Sequence, residues 1–165
     1  ILSAALKQGS LDDAGYQEML ALTTRLNSVG TDLAQIPGVH AMTDVTGFGL
    51  LGHLLELCRG AGLKASLEFA DLPILATARA LARHGLKTGA SGRNWDSYGH
   101  EVRLADGIEA WQRDLLTDPQ TNGGLLVAAA PEAVDAVLAA FHDCGHAEAK
   151  VIGAMATGAA GIEVS

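Results

Sequence analysis

A chain of 165 residues with 19 Asp and Glu against 11 Lys and Arg carries a net charge of −8, a surface that repels nucleic acid and anionic lipid. With 48% hydrophobic and 18% charged residues it is long and apolar enough for one domain with a real core, and disorder over most of its length is excluded. Its apolar runs are short and broken, so no membrane span is expected; no signal peptide is visible, and the two separated cysteines, Cys58 and Cys144, point to a reduced, cytoplasmic protein.

The chain opens on an apolar stretch, ILSAAL, with Ile rather than Met first, and is expected to be a piece of a longer protein. Ser10-x-x-Asp13 predicts a helix start, a capping serine followed by an acid in the first turn. That helix is expected to run to about Asn27, with Met19, Leu22 and Leu26 on one face, before Gly30 stops the segment. IPGVHAM (36–42) predicts a turn feeding a strand. After the glycine-rich TDVTGFGLLG (43–52), Leu50, Leu51, Leu54, Leu55 and Cys58 form the stripe of an amphipathic helix ending near Gly60 and Gly62. Residues 63–69 alternate strictly, with Leu63, Ala65, Leu67 and Phe69 on one face and Lys64, Ser66 and Glu68 on the other: a half-exposed strand. DLPIL predicts another helix, with Asp71 near its cap and Pro73 in its first turn, running to about His84. Residues 85–107 hold five glycines and no sustained period, which predicts a long loop, functional or mobile. A short helix over 108–116, a turn at DPQTNGG and a fully buried strand at LLVAAA (125–130) follow. Pro131 opens a helix carrying Val134, Val137, Leu138 and Phe141, and VIGAM and GIEV close the chain as two strands. This order predicts an α/β (α+β) fold, a mixed β-sheet layered with helices.

TDVTGFGLLG poses the functional question. Gly47-x-Gly49-x-x-Gly52 follows a predicted strand and opens a helix, and acids lie about 20 residues on, so the pattern matches a dinucleotide-binding turn. A strand buried on both faces, however, is a continuous apolar run, and this one holds His40, Thr43 and Asp44. A second reading puts Asp44 at the strand's C-terminal end, facing a cleft, flanked by the hydroxyls of Thr43 and Thr46 and by the N–H groups of the next helix. Such a carboxylate suits a metal–phosphate complex, since Mg²⁺ takes one or two carboxylates together with phosphate oxygens and water. A third reading makes Asp44 only a cap of the helix or turn.

Three segments, GVHAMTDVTGFGLLGHLLEL, TGASGRNWDSYG and LLTDPQTNGGLLVA, agree in order and spacing with the C-terminal domain of the bacterial selenophosphate synthetase (selenide, water dikinase) family, which the whole chain resembles. The wider superfamily includes aminoimidazole ribonucleotide synthetase, thiamin-phosphate kinase and hydrogenase maturation proteins. The resemblance implies that residues 1–165 are a single C-terminal domain of a two-domain, homodimeric, cytoplasmic enzyme. That enzyme makes selenophosphate from selenide, ATP and water, releasing AMP and phosphate. It also implies that Asp44 contributes to Mg²⁺ binding and that the glycines serve a tight strand-to-helix turn. The ATP-binding segment, further aspartates and the reactive Cys or selenocysteine are implied to lie in the N-terminal domain. No catalytic residue is therefore expected in this chain. Where the family commonly has D-P-Q-T-S-G-G, this chain has Asn122, a small polar exchange expected to have little consequence.

Other candidates carry weaker signals. His142, Cys144 and His146 cluster after a helix without a standard zinc spacing, and are expected to be a polar helix end. Cys58 falls on the apolar stripe and is expected in the core. The GRNWDSYG segment offers Arg93, Asn94, Trp95, Asp96 and Tyr98: Arg and Asn can bind phosphate, Trp and Tyr can stack on a base or close a lid, and the alternative is a structural role with Trp95 plugging the loop onto the domain. His40, His53, His84 and His100 stand singly.

Overall fold

A computed structural model describes all 165 residues, Ile1–Ser165. The elements run α1 (Leu2–Lys7), α2 (Asp13–Thr23), α3 (Gly30–Leu33), β1 (Val39–Asp44), α4 (Gly49–Ala61), β2 (Leu63–Leu67), α5 (Ala76–Arg83) and α6 (Gly89–Tyr98), followed by β3 (Val102–Leu104), α7 (Ala110–Leu116), β4 (Leu125–Ala129), α8 (Val134–Asp143), β5 (Gly153–Thr157) and β6 (Gly161–Val164). The class is the expected one, mixed sheet and helix, but the strands divide into two sheets. β3, β6, β2 and β5 lie side by side in that order, and β1 pairs with β4 alone as an antiparallel ribbon. Within the larger sheet β2–β6 and β3–β6 are parallel and β2–β5 antiparallel.

The core follows from two periodicities meeting. Helix α4 buries Leu51, Leu54, Leu55 and Cys58, and the alternation of β2 and β6 turns Ala65, Leu67, Ile162 and Val164 toward it. Leu51 and Leu55 are wholly buried, each stabilising the fold by about 1.5–3 kcal/mol. The helix ends where Gly62 takes a left-handed conformation (φ +66°), its N–H returning to the Cys58 carbonyl. A smaller core joins Val29 and Leu33 to Val137 of α8, with Met42, Leu125 and Val127 of the ribbon partly buried against them.

Several expectations are corrected. Asp12, not Ser10, caps α2, accepting from Gly15 N–H at 2.8 Å; the Ser10 hydroxyl donates instead to the Ala5 carbonyl behind it. Helix α2 stops at Thr23, four residues early, and Leu22 (40%) and Leu26 (76%) are exposed rather than forming a buried stripe. Asp71 ends a short 3₁₀ turn (Phe69–Asp71) and α5 begins only at Ala76, because the extended backbone around Pro73 separates the two. LLVAAA is not fully buried. Leu126 enters the main core, but in a two-stranded ribbon the rest of β4 is only partly covered.

The largest difference is at 85–107, expected as a loop. Ten of these residues form α6, and a 3₁₀ turn and β3 follow. Thr88 caps α6, its hydroxyl oxygen accepting from Ser91 N–H at 3.2 Å. The stripe that docks the helix is Ser91, Trp95 and Tyr98, at helical spacing, with Ser91 wholly buried. A serine in a glycine-rich run hides such a stripe from a search for aliphatic residues.

Candidate functional site at the β1–α4 turn

Strand β1 delivers Asp44 opposite Leu125, at the end of the ribbon, and the chain then turns through Val45–Phe48 into α4. Asp44 is exposed. Its carboxylate takes part in none of the ion pairs of the molecule. It is not the helix cap either: Phe48 occupies that position, four residues on, with no side-chain cap bond. The capping role is therefore removed, and a free hard-oxygen donor remains.

The three glycines have separate tasks. Gly49 adopts φ +68°, and a Cβ there would lie 2.6 Å from the Thr117 carbonyl carbon. A Cβ on Gly52 would meet Phe48 Cβ at 2.4 Å and the Tyr98 ring at 3.0 Å. Gly47 faces open space. The glycines thus admit α6 and the segment after α7 to the start of α4, in agreement with a tight strand-to-helix turn. The dinucleotide reading fails on topology. It needs β1, α4 and β2 as a parallel unit of one sheet, whereas β1 pairs antiparallel with β4 and β2 lies in the other sheet.

Tyr98 completes the start of α4. Its hydroxyl donates to the Phe48 carbonyl, which tethers α6 to the N-terminal boundary of α4. Burial pushes its pKa up to about 12, with the Gly52 N–H opposing the shift. Gly49 N–H goes to the Thr46 carbonyl, so one donor of the first turn is already committed and the helix start is a poorer anion cradle than the sequence suggests.

All three resemblance segments meet at this turn. From α6, the Asn94 amide donates to the carbonyls of Gly47 (2.9 Å) and Thr117 (3.0 Å), bridging the first segment to the third. From DPQTNGG, Gln120 N–H donates to Thr46 O at 3.0 Å, and Gly124 O accepts from Val45 N–H at 2.9 Å. Gly123 lies so close that a Cβ would sit 2.0 Å from Val45 O. Asp118 is buried; it accepts from the Thr88 hydroxyl at 3.1 Å, tying the turn to the start of α6. DPQTNGG is thus the scaffold of the Asp44 turn as well as the entry to β4. Asn122 also has more to do than its substitution suggests. It holds φ +49°, and its amide donates to the carbonyls of Thr23 (3.2 Å) and Arg25 at the end of α2.

Sequence reasoning singled out Asn94, Trp95 and Tyr98 without choosing between roles; all three are packing and hydrogen-bonding residues, Trp95 lying under the Arg113 guanidinium at 5.4 Å. Arg93 and Asp96 are exposed. His53, set aside as solitary, is buried in α4, with Nε2 3.1 Å from the Thr46 hydroxyl and Nδ1 2.9 Å from a Glu56 carboxylate oxygen. Its signal was spacing: positions 46, 53 and 56 share one side of the turn and helix. Asp118 and Asn27, whose amide donates to Gly123 O at 2.8 Å, were missed.

The remaining candidates behave as structural groups. His142 Nε2 lies 3.1 Å from the Ala149 carbonyl, Cys144 is exposed, and the His146 ring packs edge-on against Phe141. No three His, Cys, Asp or Glu side chains converge as a metal cluster anywhere in the chain. Cys58 is buried as expected, and desolvation pushes its thiol pKa up. No helix is long and apolar enough to cross a membrane.

The family described as AIR synthase related protein, C-terminal domain, matches residues 2–164, and the chain belongs to it. Among curated proteins it is 62% identical over all 165 residues to the selenide, water dikinase of Burkholderia pseudomallei strain K96243, of which it covers 47%. Over 159 residues, 96% of the chain, it is 60% identical to the selenide, water dikinase of Pseudomonas straminea, of which it covers 44%. The chain therefore spans about half the length of the curated relatives it matches. Among solved structures it resembles thiamine-monophosphate kinase from Stenotrophomonas maltophilia K279a (TM-score 0.64, 22% identity), over 99% of this chain and 46% of that one. It also resembles the hydrogenase maturation protein HypE of E. coli (TM-score 0.59, 21% identity), over 83% of this chain and 34% of that one. These two likenesses concern the fold.

Proposed function

We propose that this chain is the C-terminal domain of a cytoplasmic, homodimeric selenide, water dikinase, which converts selenide, ATP and water to selenophosphate, AMP and phosphate. In this reading Asp44 is one ligand of a magnesium ion that accompanies ATP, and the N-terminal domain supplies the nucleotide site, the other carboxylates and the reactive Cys or selenocysteine. The observation that carries it is Asp44 itself: an exposed carboxylate outside every ion pair, on a turn held by all three segments that resemble the family.

The donor chemistry fits. Magnesium prefers hard oxygen, takes one or two carboxylates and keeps several waters, so a single exposed Asp is an adequate contribution from this half. The ion, when bound, neutralises charge on the phosphoryl group being transferred. The chain's own work is positional. Asn94, Gln120 and Gly124 hold the backbone of the turn by hydrogen bonds, so the carboxylate is presented from a rigid support.

Asp44→Asn in the full-length enzyme tests this. Asn is nearly isosteric and the side chain is exposed, so the melting temperature is expected to stay at the wild-type value. Loss of the negative charge is expected to lower kcat by about 10²-fold, about 2.7 kcal/mol in the barrier, with partial recovery at high Mg²⁺. Wild-type turnover at limiting Mg²⁺ would refute the assignment.

A further inference from the structure

The buried histidine beside this turn has an arrangement that packing alone does not require. Glu56 offers its carboxylate to His53 Nδ1 at 2.9 Å, and a carboxylate only accepts, so Nδ1 carries the hydrogen. In the neutral ring Nε2 is then a bare acceptor, and its partner at 3.1 Å is the Thr46 hydroxyl. The Thr46 hydrogen is thereby directed inward and the oxygen lone pairs are left for whatever lies outside. The ring is held by Phe48, with centroids 5.6 Å apart, and the Thr46 backbone is pinned by Gly49 and Gln120 N–H groups on its carbonyl. Thr46 is half-buried, two residues past Asp44 on the same turn.

We infer that Thr46, His53 and Glu56 form a relay that presents the Thr46 oxygen as an acceptor for a water in the shell of the Asp44-bound cation. Thr46 is the contacting group; His53 and Glu56 are positioning residues. Magnesium retains water ligands, and a neighbouring acceptor that orients one of them tightens the site without adding a second charge. This inference rests on the Asp44 reading proposed above.

The test uses full-length protein with Mn²⁺ as the probe, titrated by electron paramagnetic resonance in the presence of a non-hydrolysable ATP analogue. Thr46→Val is expected to weaken Mn²⁺ binding roughly 10-fold, the lower end of the range for losing an outer-shell partner, and Thr46→Ser to restore it. Glu56→Gln alters a largely exposed carboxylate. It should therefore leave the melting temperature unchanged while weakening Mn²⁺ in the same direction. In ¹⁵N-histidine-labelled protein the His53 resonances at neutral pH should report the Nδ1–H tautomer. Wild-type Mn²⁺ affinity in Thr46→Val, or a His53 imidazolium or Nε2–H tautomer, would overturn the relay. Asp44→Asn, run alongside, separates the two claims: if it binds Mn²⁺ like wild type, the Asp44 site falls and the relay with it. If Asp44→Asn weakens binding and Thr46→Val does not, only the relay falls.

Discussion

At the scale of single residues, polar side chains set the geometry of this turn more than apolar ones do. Tyr98 is the clearest case, its hydroxyl donating from α6 to the Phe48 carbonyl at the start of α4. Tyr98→Phe keeps the ring and its packing but leaves the Phe48 carbonyl without its side-chain donor, and is expected to cost about 1–3 kcal/mol in urea unfolding. A second residue couples stability to pH. Burial, and then the nearby Arg25 charge, hold the His146 pKa below its ordinary 6.5. The unfolded chain then binds more protons than the folded one between the lowered value and 6.5. His146 therefore contributes stability that is present above 6.5 and lost as pH falls toward the lowered value. His146→Gln should flatten the stability–pH curve across that window; an unchanged slope would show that His146 is not the group responsible.

At the scale of elements, the legible parts of the chain are those whose burial is apolar and periodic. The stripe of α4 and the alternation of β2 could be read directly, because each is an uninterrupted pattern of one period facing one core. Helix α6 could not, because Gly89 and Gly92 depress its propensity and Ser91 breaks its stripe, while its stability comes from a Thr88 cap and from packing on distant elements. Its boundary bonds reverse the expectation of mobility: amide exchange in Asn94–Tyr98 should be slow, comparable with the centre of α4, and not that of a loop. The glycine pattern of the β1–α4 turn was legible as a pattern but ambiguous in meaning. The conformations separate its members. Gly49→Ala puts a side chain at φ +68° against the Thr117 backbone and should destabilise by about 1–3 kcal/mol from strain, with the clash adding to it. Gly47→Ala meets nothing within 4 Å at an ordinary φ and should melt like wild type. A phosphate-cradling turn would invert that order of importance.

At the scale of the whole molecule, Asp44 was visible as a charged residue in a strand, but the assembly around it was not. The contacts run from side-chain amides to backbone carbonyls and between backbones, across separations of 23 to 99 residues, and no periodicity records them. What the assembly leaves is a supported turn bearing one free carboxylate, in a chain that covers 47% of a selenide, water dikinase of Burkholderia pseudomallei. Two consequences can be measured on the isolated chain. With β1 and β2 in different sheets there is no crevice of the dinucleotide-binding kind, so calorimetric titration with NAD should show no saturable heat at micromolar concentrations. The main core buries 14 residues, all of this chain, so it should still unfold cooperatively in urea. On the proposed reading it should form no AMP from ATP and selenide, because one carboxylate without a metal cluster cannot assemble a nucleotide–metal site. Selenide-dependent AMP formation by the isolated chain would place the catalytic groups here and remove the division of labour on which the assignment of Asp44 depends.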